Sequence, residues 1–575
     1  SMRSVFDHSW QLLSAAEQTT FSQLAVLRGQ FTFPAAREVA GATWAVLSAL
    51  VDKSLLRRQE SSLNDGTYED RHHPGAGDVM YELHALLRQY ASERLNTDPT
   101  EAHAAQLRHC RYYATLLAEN SVYLRGGRRQ TTAMAMIERD IANIRAAWDW
   151  AVAQPAPDLI EQLLPGLALF FDLRNPADGA QLMKRAAEAL SAADSQDQAL
   201  DLVQARVLLN QARFAMASGE NRGRVERQLQ ACLSVFEHHG ADHEIARTLH
   251  YLGNAFYPDY LGRAIGYWRR SHDLYRRVGD RWAMARILMN LGVTAGTFAQ
   301  ARAYYHQSMR LCEQLDDQVL NGHLMFHLAN VEEQLGNYAA AEELAARSVE
   351  SLRAVGDPHN LFIALVNLVA ALQGQGKYEQ ARRHLRQATA ITDSSGTPWN
   401  RMTISLYWGR LALAEGDYHQ AERLLQASLA DADPTRYREH LQHCMNGLGL
   451  LCLNEGRHAA ARDWFERSLK ANDQLDRKSR SRRLEALVHL GEIALLSGRT
   501  HEARARFQAA YDQAKAIGAQ VVWLRLMRHL MQTHGSEELC EIATEVGGDG
   551  GQDPRDGSGQ DSLLHDAASA PRRGT

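Results

Sequence analysis

Cysteine is scarce: six in 575 residues, Cys110, Cys232, Cys312, Cys444, Cys452 and Cys540, with no C-x-x-C pair among them. Their scatter argues against a disulfide framework and a thiolate zinc site, and suits a reducing compartment. No apolar run approaches the roughly 18 residues of a membrane span. No charged-apolar-small leader opens the chain, so the expectation is a cytoplasmic protein without a membrane partner. Neither sign of charge prevails; a net charge of −5 gives no general attraction to nucleic acid or an anionic bilayer. Catalytic signatures are missing as well. Without a G-x-x-x-x-G-K-[ST] loop there is no cradle of backbone N–H groups for a triphosphate, and no G-x-S-x-G elbow is present. Twenty-five histidines include the spacing His440-Leu441-Gln442-His443, but no acidic or cysteine partner completes a tetrahedral metal set. Catalysis, a bound metal and a cofactor held by this chain alone are therefore not expected.

What is abundant is helix-forming residue and repetition. Apolar residues make up 45% of the chain and charged residues 23%, with Ala, Leu, Gln, Glu and Arg prominent. From Gly296 the chain repeats itself. Gly336-Asn337-Tyr338, Gly376-Lys377-Tyr378, Gly416-Asp417-Tyr418 and Gly456-Arg457-His458 recur every 40 residues, each with Ala five positions after its Gly. In the clearest copy, Asn321 to Asn360, Leu324, Leu328, Val331 and Leu335 fall at helical spacing. Gly336 closes helix A where a positive φ is needed. Ala340, Ala341 and Ala345 let helix B approach, and Gly356-Asp357-Pro358 breaks the chain. Leu291-Gly292, Trp408-Gly409, Leu448-Gly449 and Leu490-Gly491 mark a small site in helix A. Gly292 lies only four residues before Gly296, against seven for Gly409 and Gly416, which predicts one clipped helix A. A weaker copy surrounds Gly219 and Ala231. Units of this kind cannot bury a core alone and stack on their neighbours, presenting an extended concave surface.

The small residue in helix A, the Gly-x-Tyr-x-x-Ala turn and the Ala of helix B resemble tetratricopeptide repeats in a longer form, over roughly residues 199–535. HEAT and armadillo repeats share the period but lack that turn.

The first hundred residues read differently. Ser14-Ala15-Ala16-Glu17 is a capping box opening a helix through Leu27. Phe31-Thr32-Phe33-Pro34 begins a second helix, ending at Gly41, and Thr43 caps a third through Asp52. Ser54–Arg57 and Val79–Leu83 are strand candidates around the Gly/Asn/Asp-rich stretch 61–78, which holds Arg71-His72-His73. A helix follows from about His84 to Leu95. Three helices, a hairpin and a helix describe a winged helix. The expected fold is thus an all-α tetratricopeptide solenoid preceded by a small winged-helix domain with a β-hairpin wing. The expected boundaries are 1–97 for the winged helix, 98–196 for a helical arm, 197–546 for the repeats and 547–575 for a Gly/Asp/Ser-rich tail.

Phe6-Asp7-His8-Ser9-Trp10, Leu50-Val51-Asp52-Lys53-Ser54-Leu55-Leu56 and Tyr81-Glu82-Leu83-His84-Ala85-Leu86-Leu87-Arg88-Gln89-Tyr90-Ala91 resemble the winged-helix part of STAND signalling ATPases, the class of NB-ARC proteins. Ile137-Glu138-Arg139-Asp140-Ile141-Ala142-Asn143-Ile144-Arg145-Ala146-Ala147-Trp148 is similar to the arm of bacterial members. The resemblance spans nearly the whole chain and implies a nucleotide-binding domain upstream, which alone would bring ADP or ATP. Ser1-Met2, just before the Phe6 motif, reads as an artificial start to an excised C-terminal half. In that family a Met-His-Asp-like motif ends the winged helix, and its His touches the β-phosphate of ADP in the off state. The resemblance thus implies that His84 is a nucleotide sensor, with Ala85 standing where the family has Asp.

The remaining candidates concern partners. The third helix, Trp44-Ala45-Val46-Leu47-Ser48-Ala49-Leu50-Val51, offers no Arg, Lys, Asn or Gln to base edges, so specific DNA reading is not expected from it. Transferring the repeat register along the A helices instead puts Arg247, His250, Asn254 and Tyr257 on the concave face, then Arg286 and Asn290. His323, Phe326, Asn330, Arg410, His443, Asn446 and Glu492 continue the series. Such residues can bond a peptide backbone while leaving pockets for side chains. The expected function is a sensor binding a protein, peptide or small inducer, with a standalone scaffold or a winged-helix regulator on DNA as alternatives.

Overall fold

The computed structural model describes residues 2–60, 79–125, 129–192, 198–217, 221–395, 397–432, 437–471, 477–534, 539, 541, 542 and 546. The stretch 61–78, Gly219, Cys540 and the tail 547–575 lie outside the described residues. Helices follow one another almost without interruption, and among the described residues the strands form one three-stranded sheet near the N-terminus. The chain is an all-α, solenoid-like repeat fold. It divides into two units, 1–274 and 275–575.

In the first unit Ser14 and Glu17 form the predicted capping box, each side chain accepting from the other's backbone N–H. The helix it opens, Ala15–Gln23, passes into a 3₁₀ turn, Leu24–Val26. Helices Phe33–Ala40 and Trp44–Asp52 are capped by Thr32 and Thr43. Two expectations shift. Phe31 and Thr32, read as the start of a helix, belong to a strand, β1 (Gln30–Thr32). An N-cap residue has extended backbone, and Thr32 at φ −89°, ψ 165° can end a strand and cap a helix at once. The strand expected at Ser54–Arg57 instead begins at Arg57, as β2 (Arg57–Glu60). The reason is that the amides of Leu55 and Leu56 still bond back to the Leu50 carbonyl. Strand β3 (Val79–Glu82) lies between β1 and β2, antiparallel to both, with Tyr81 opposite Phe31 and Arg58.

The sequence motifs of this unit meet in space. Asp7 accepts from the Tyr90 hydroxyl at 2.8 Å and from Arg94 at 2.6 Å, and the Arg94 guanidinium lies over the Trp10 ring. Lys53 bonds Glu17 at 2.8 Å, and that hydrogen bond leads the effects holding the Glu17 carboxyl below its usual range. Asn143, on the long helix Gln130–Ala153, accepts from the Arg28 amide at 2.6 Å and donates to the Gln30 carbonyl at 3.2 Å. A single buried core runs from Leu13 to Phe214.

The second unit shows the repeat logic plainly. Helix A of the clearest copy, Gln318–Gln334, is capped by Asp317; helix B, Tyr338–Val355, ends at Gly356 with φ +75°. Pro358 and Pro398 stand in the first turn of the next two A helices. The predicted clipped unit is real: Arg281–Val293 has 13 residues against 17 in Gln318–Gln334. The turn glycines 336, 376, 416, 456 and 498 all have φ between +68° and +82°, which costs a side chain bearing Cβ on the order of 1 kcal/mol.

Two kinds of contact recur between the helices of a hairpin. A helix-A glycine sits against a bulky helix-B side chain: a Cβ on Gly292, Gly449 or Gly491 would come within 2.4, 2.7 and 2.6 Å of Tyr305, Phe465 and Phe507. A buried helix-B serine then donates to a helix-A carbonyl. Ser308 reaches Ala285 at 2.7 Å, Ser348 reaches Gly322 at 2.7 Å and Ser428 reaches Met402 at 2.6 Å. At the end of the last pair Ile517, with Ala519 just after it, joins the core of Ala295, Phe298 and Leu335, and Arg525 donates to the Leu335 carbonyl at 3.3 Å. The second unit's end therefore packs on its beginning.

Gly449→Ala should lower stability by about 1–3 kcal/mol through overpacking against Phe465, measured by chemical denaturation. Adding Phe465→Leu should recover part of that loss. Equal stability of Gly449→Ala and wild type would remove the close approach as a structural requirement.

Candidate functional site

The A helices supply the candidate face, and the structure sorts its predicted residues into two kinds. Several hold the solenoid together. Asn254 accepts from Trp268 Nε1 at 3.0 Å, His250 is buried, and Phe326 is a core side chain. Asn446 is 1% exposed and donates to the Arg482 carbonyl and to Glu485. Glu492 is buried and lies 3.0 Å from His489 Nδ1. Asn330 accepts from Gln334 at 2.7 Å. His323 Nε2 lies 3.4 Å from Asp357. Burial opposes the Asp357 charge, but bonds from His323 and Asn360 outweigh it and bring the carboxyl down to about 2. Arg286 lies over the Trp282 ring, Asn290 stays partly exposed, and the exposed Tyr257 leans on Trp268.

The others gather in two polar clusters, one in each unit. In the first, Arg247 donates to Asn210 at 2.7 Å and reaches the Tyr251 hydroxyl at 3.4 Å; Arg213 approaches the same hydroxyl at 3.5 Å. Burial raises the Tyr251 phenol, but the two guanidiniums overcome it and bring it down to about 8. Arg213 also donates to the Ala168 carbonyl at 2.6 Å.

In the second unit Arg410 lies over the Tyr407 ring at 5.5 Å, and Tyr407 meets His443 edge-on. His443 and Arg482 keep part of their surface open to water although protein surrounds them. Burial, then Arg482 and Arg410, hold His443 well below the usual imidazole range. Glu333, Glu439 and Glu485 bear electrostatically on Arg482, and Tyr338 feels both Arg410 and Arg525. Sequence reasoning missed Tyr407, Arg482, Tyr251 and Arg213. Tyr407 lies one helical turn before Arg410 and could have been found by that spacing; Arg525 follows the last hairpin and has no repeat register to transfer.

His84 sits elsewhere, as the N-cap of Ala85–Leu95; its exposed ring accepts the Leu86 amide at Nδ1, 3.4 Å away. His440 of the His-x-x-His pair lies 2.8 Å from Ser428 Oγ in the core. Among the described residues no group of three His, Cys, Asp or Glu is placed to hold a metal ion, and no helix is long and apolar enough to cross a membrane.

The tetratricopeptide repeat family model matches residues 318–394, 400–474 and 442–516. These residues form tetratricopeptide repeats. Over 95% of its length the chain is 26% identical to proteins provisionally named HTH-type transcriptional regulators from Mycobacterium bovis and Mycobacterium tuberculosis, and it spans 59% of their length. A solved signal transduction ATPase with a tetratricopeptide repeat sensor, from Pyrococcus horikoshii, superposes with TM-score 0.49 at 13% identity, covering 92% of this chain and 66% of that one. NprR in complex with its cognate peptide NprX superposes with TM-score 0.39 at 12% identity, covering 71% and 98%.

Folded Tyr251 near 8, against about 10 unfolded, contributes stability that is fully present above pH 10 and lost as pH falls through 8. Absorbance titration at 295 nm should show one tyrosine ionising near pH 8, absent in Tyr251→Phe and moved upward in Arg247→Gln. A step near pH 8 that survives Tyr251→Phe would refute the assignment.

Proposed function

We propose that this chain is the sensor and autoinhibitory module of a STAND-type switch. Residues 1–97 would be a winged helix, 98–196 an arm, and 197–546 repeats that bind a protein, peptide or small inducer. The observation that carries the reading is the cluster of Tyr407, Arg410, His443 and Arg482 on three successive A helices, in which His443 and Arg482 are surrounded by protein yet keep part of their surface open to water. Structural use of Asn254, Phe326 and Asn446 narrows the binding candidates to Arg247 in the first unit and Arg286, Asn290, Arg410 and His443 in the second. The order of the Phe6, His84 and Asn143 motifs, met along nearly the whole chain, supports the STAND assignment.

In that reading His84 reports on nucleotide. Its Nδ1 accepts the Leu86 amide, which fixes the neutral ring with its proton on Nε2 and leaves that donor for a phosphate oxygen. A charge-assisted bond of this kind contributes about 1.5–3 kcal/mol, enough to bias a two-state switch whose ligand binds one state better. The catalytic chemistry would belong to the upstream domain, and the chain itself would be no enzyme.

A second reading, a DNA-bound regulator, is favoured by the name of the mycobacterial relatives. Against it, the helix Trp44–Asp52 presents Trp44 stacked on Phe33 with centroids 3.8 Å apart and carries no Arg, Lys, Asn or Gln for base edges.

Affinity capture on the full chain tests the receptor reading. One metabolite or polypeptide should be enriched on wild type and lost from Arg286→Ala/Arg410→Ala, identified by mass spectrometry; equal capture by both would favour a scaffold using other faces. In a longer protein carrying the ATPase domain, His84→Ala should speed ADP release roughly tenfold or more, the ratio that follows from 1.5–3 kcal/mol. Unchanged release would sink the sensor role.

A further inference from the structure

Within the second unit the inner face is not uniform, and its asymmetry points to a ligand class. His443, on helix Arg438–Asn454, is flanked by a guanidinium from the preceding A helix and another from the following one, Arg410 on Pro398–Ala414 and Arg482 on Arg477–Leu496. The charged side chains bearing on the imidazole are these two arginines, with His440 the remaining titratable group, and no carboxylate. Arg410 rests on the Tyr407 ring and, among the described residues, makes no ion pair and leaves its buried Nη1 without a partner. The carboxylates nearby are engaged otherwise: Glu485 accepts from Asn446 at 3.1 Å and lies 3.9 Å from Arg482, while Glu333 and Glu439 act on Arg482. A buried guanidinium N–H with no acceptor is costly, and a planar fork beside an aromatic face is suited to a carboxylate or phosphate.

We propose that Arg410, His443 and Arg482 form an oxyanion subsite, which takes the carboxylate or phosphate of the ligand bound by the repeats. The site deepens the receptor reading and rests on it. Arg410 binds the anion through Nη1, Arg482 adds a second cation from the opposite side, and His443 becomes a donor by taking up a proton as the anion arrives. Tyr407 holds the Arg410 fork in place through its ring. Glu333 and Glu439 bear on Tyr407 as well as on Arg482 and repel a second negative group, so the ligand's remaining charge is neutral or positive toward them.

The test is calorimetric titration of the full chain with inorganic phosphate, and in a second arm with trialanine and its C-terminal amide, at constant ionic strength set with chloride. Saturable binding is expected for phosphate, for trialanine with its free carboxylate, or for both, and not for the amide. A phosphate-only result assigns a phosphorylated ligand and a trialanine-only result a peptide C-terminus. Arg410→Gln/Arg482→Gln should weaken binding at least tenfold. Arg410→Lys, which keeps the charge without the fork, should fall between, and Arg467→Gln, whose guanidinium lies over Trp464, should leave binding unchanged. Histidine-selective NMR on wild type provides a reading independent of any variant's folding: the His443 titration should move upward in the presence of the bound anion. Absence of saturable binding to both probes, or equal binding by the double glutamine variant, would overturn the subsite. If the wild-type chain still captures a ligand that Arg286→Ala/Arg410→Ala loses, the receptor reading survives that failure.

Discussion

Close approach of the two helices in each hairpin is the constraint on which the rest depends. A side chain on Gly449 or Gly491 would strike Phe465 or Phe507, so helix A must be nearly bare where helix B is bulky. The compensation runs both ways. Where helix A carries Ala329 instead of glycine, the matching helix-B residue is Ala345, and both lie in one core. At that separation a buried serine can reach across to a backbone carbonyl, as Ser348 and Ser428 do, and a buried hydroxyl left unbonded would be destabilising. Steric fit and hydrogen bond thus select the same distance. Stacking then carries that geometry from one hairpin to the next.

This explains which features were legible in the sequence. Turn glycines, small helix-A sites, the clipped unit before Gly296 and the Ser14 capping box all depend on neighbours a few residues away or on one repeat period, and the structure shows them where the spacing puts them. The strands were less legible. Phe31 and Thr32 carry both an N-cap signal and a partner in Tyr81, and only the partner, fifty residues further on, makes them a strand. Leu55 and Leu56 look like strand residues by type, yet their amides are already taken by Leu50.

The candidate site was legible as a face and not as a list. A period of about 40 residues assigns positions to the A helices, but it does not separate a polar group turned to open space from one that bonds the next helix. Asn446 illustrates the ambiguity: its amide is committed to Arg482 and Glu485 on the following A helix. Asn254 is committed within its own hairpin, and Phe326 is simply core. Tyr407, Arg410, His443 and Arg482 come together across three A helices, a grouping that no single-repeat register reports.

Packing of the second unit's end on its beginning adds the last step. Ile517 and Ala519 bury themselves beside Phe298 and Leu335, and Arg525 bonds the Leu335 carbonyl just before the turn at Gly336. Repeats that contact only their neighbours respond to a ligand locally, as in a one-dimensional array. A contact between the last helix and the first hairpins removes that freedom, because a change in stacking angle anywhere between them must be absorbed at Arg525 or spread across the intervening hairpins. A ligand that braces Arg410 against Arg482 would therefore act on the whole unit and not on one hairpin, provided it binds one stacking geometry better than the other. Arg482 and His443, on the hairpins in between, are surrounded by protein and partly wet. Charges so enclosed interact more strongly than charges in open water, and a single anion placed among them has leverage.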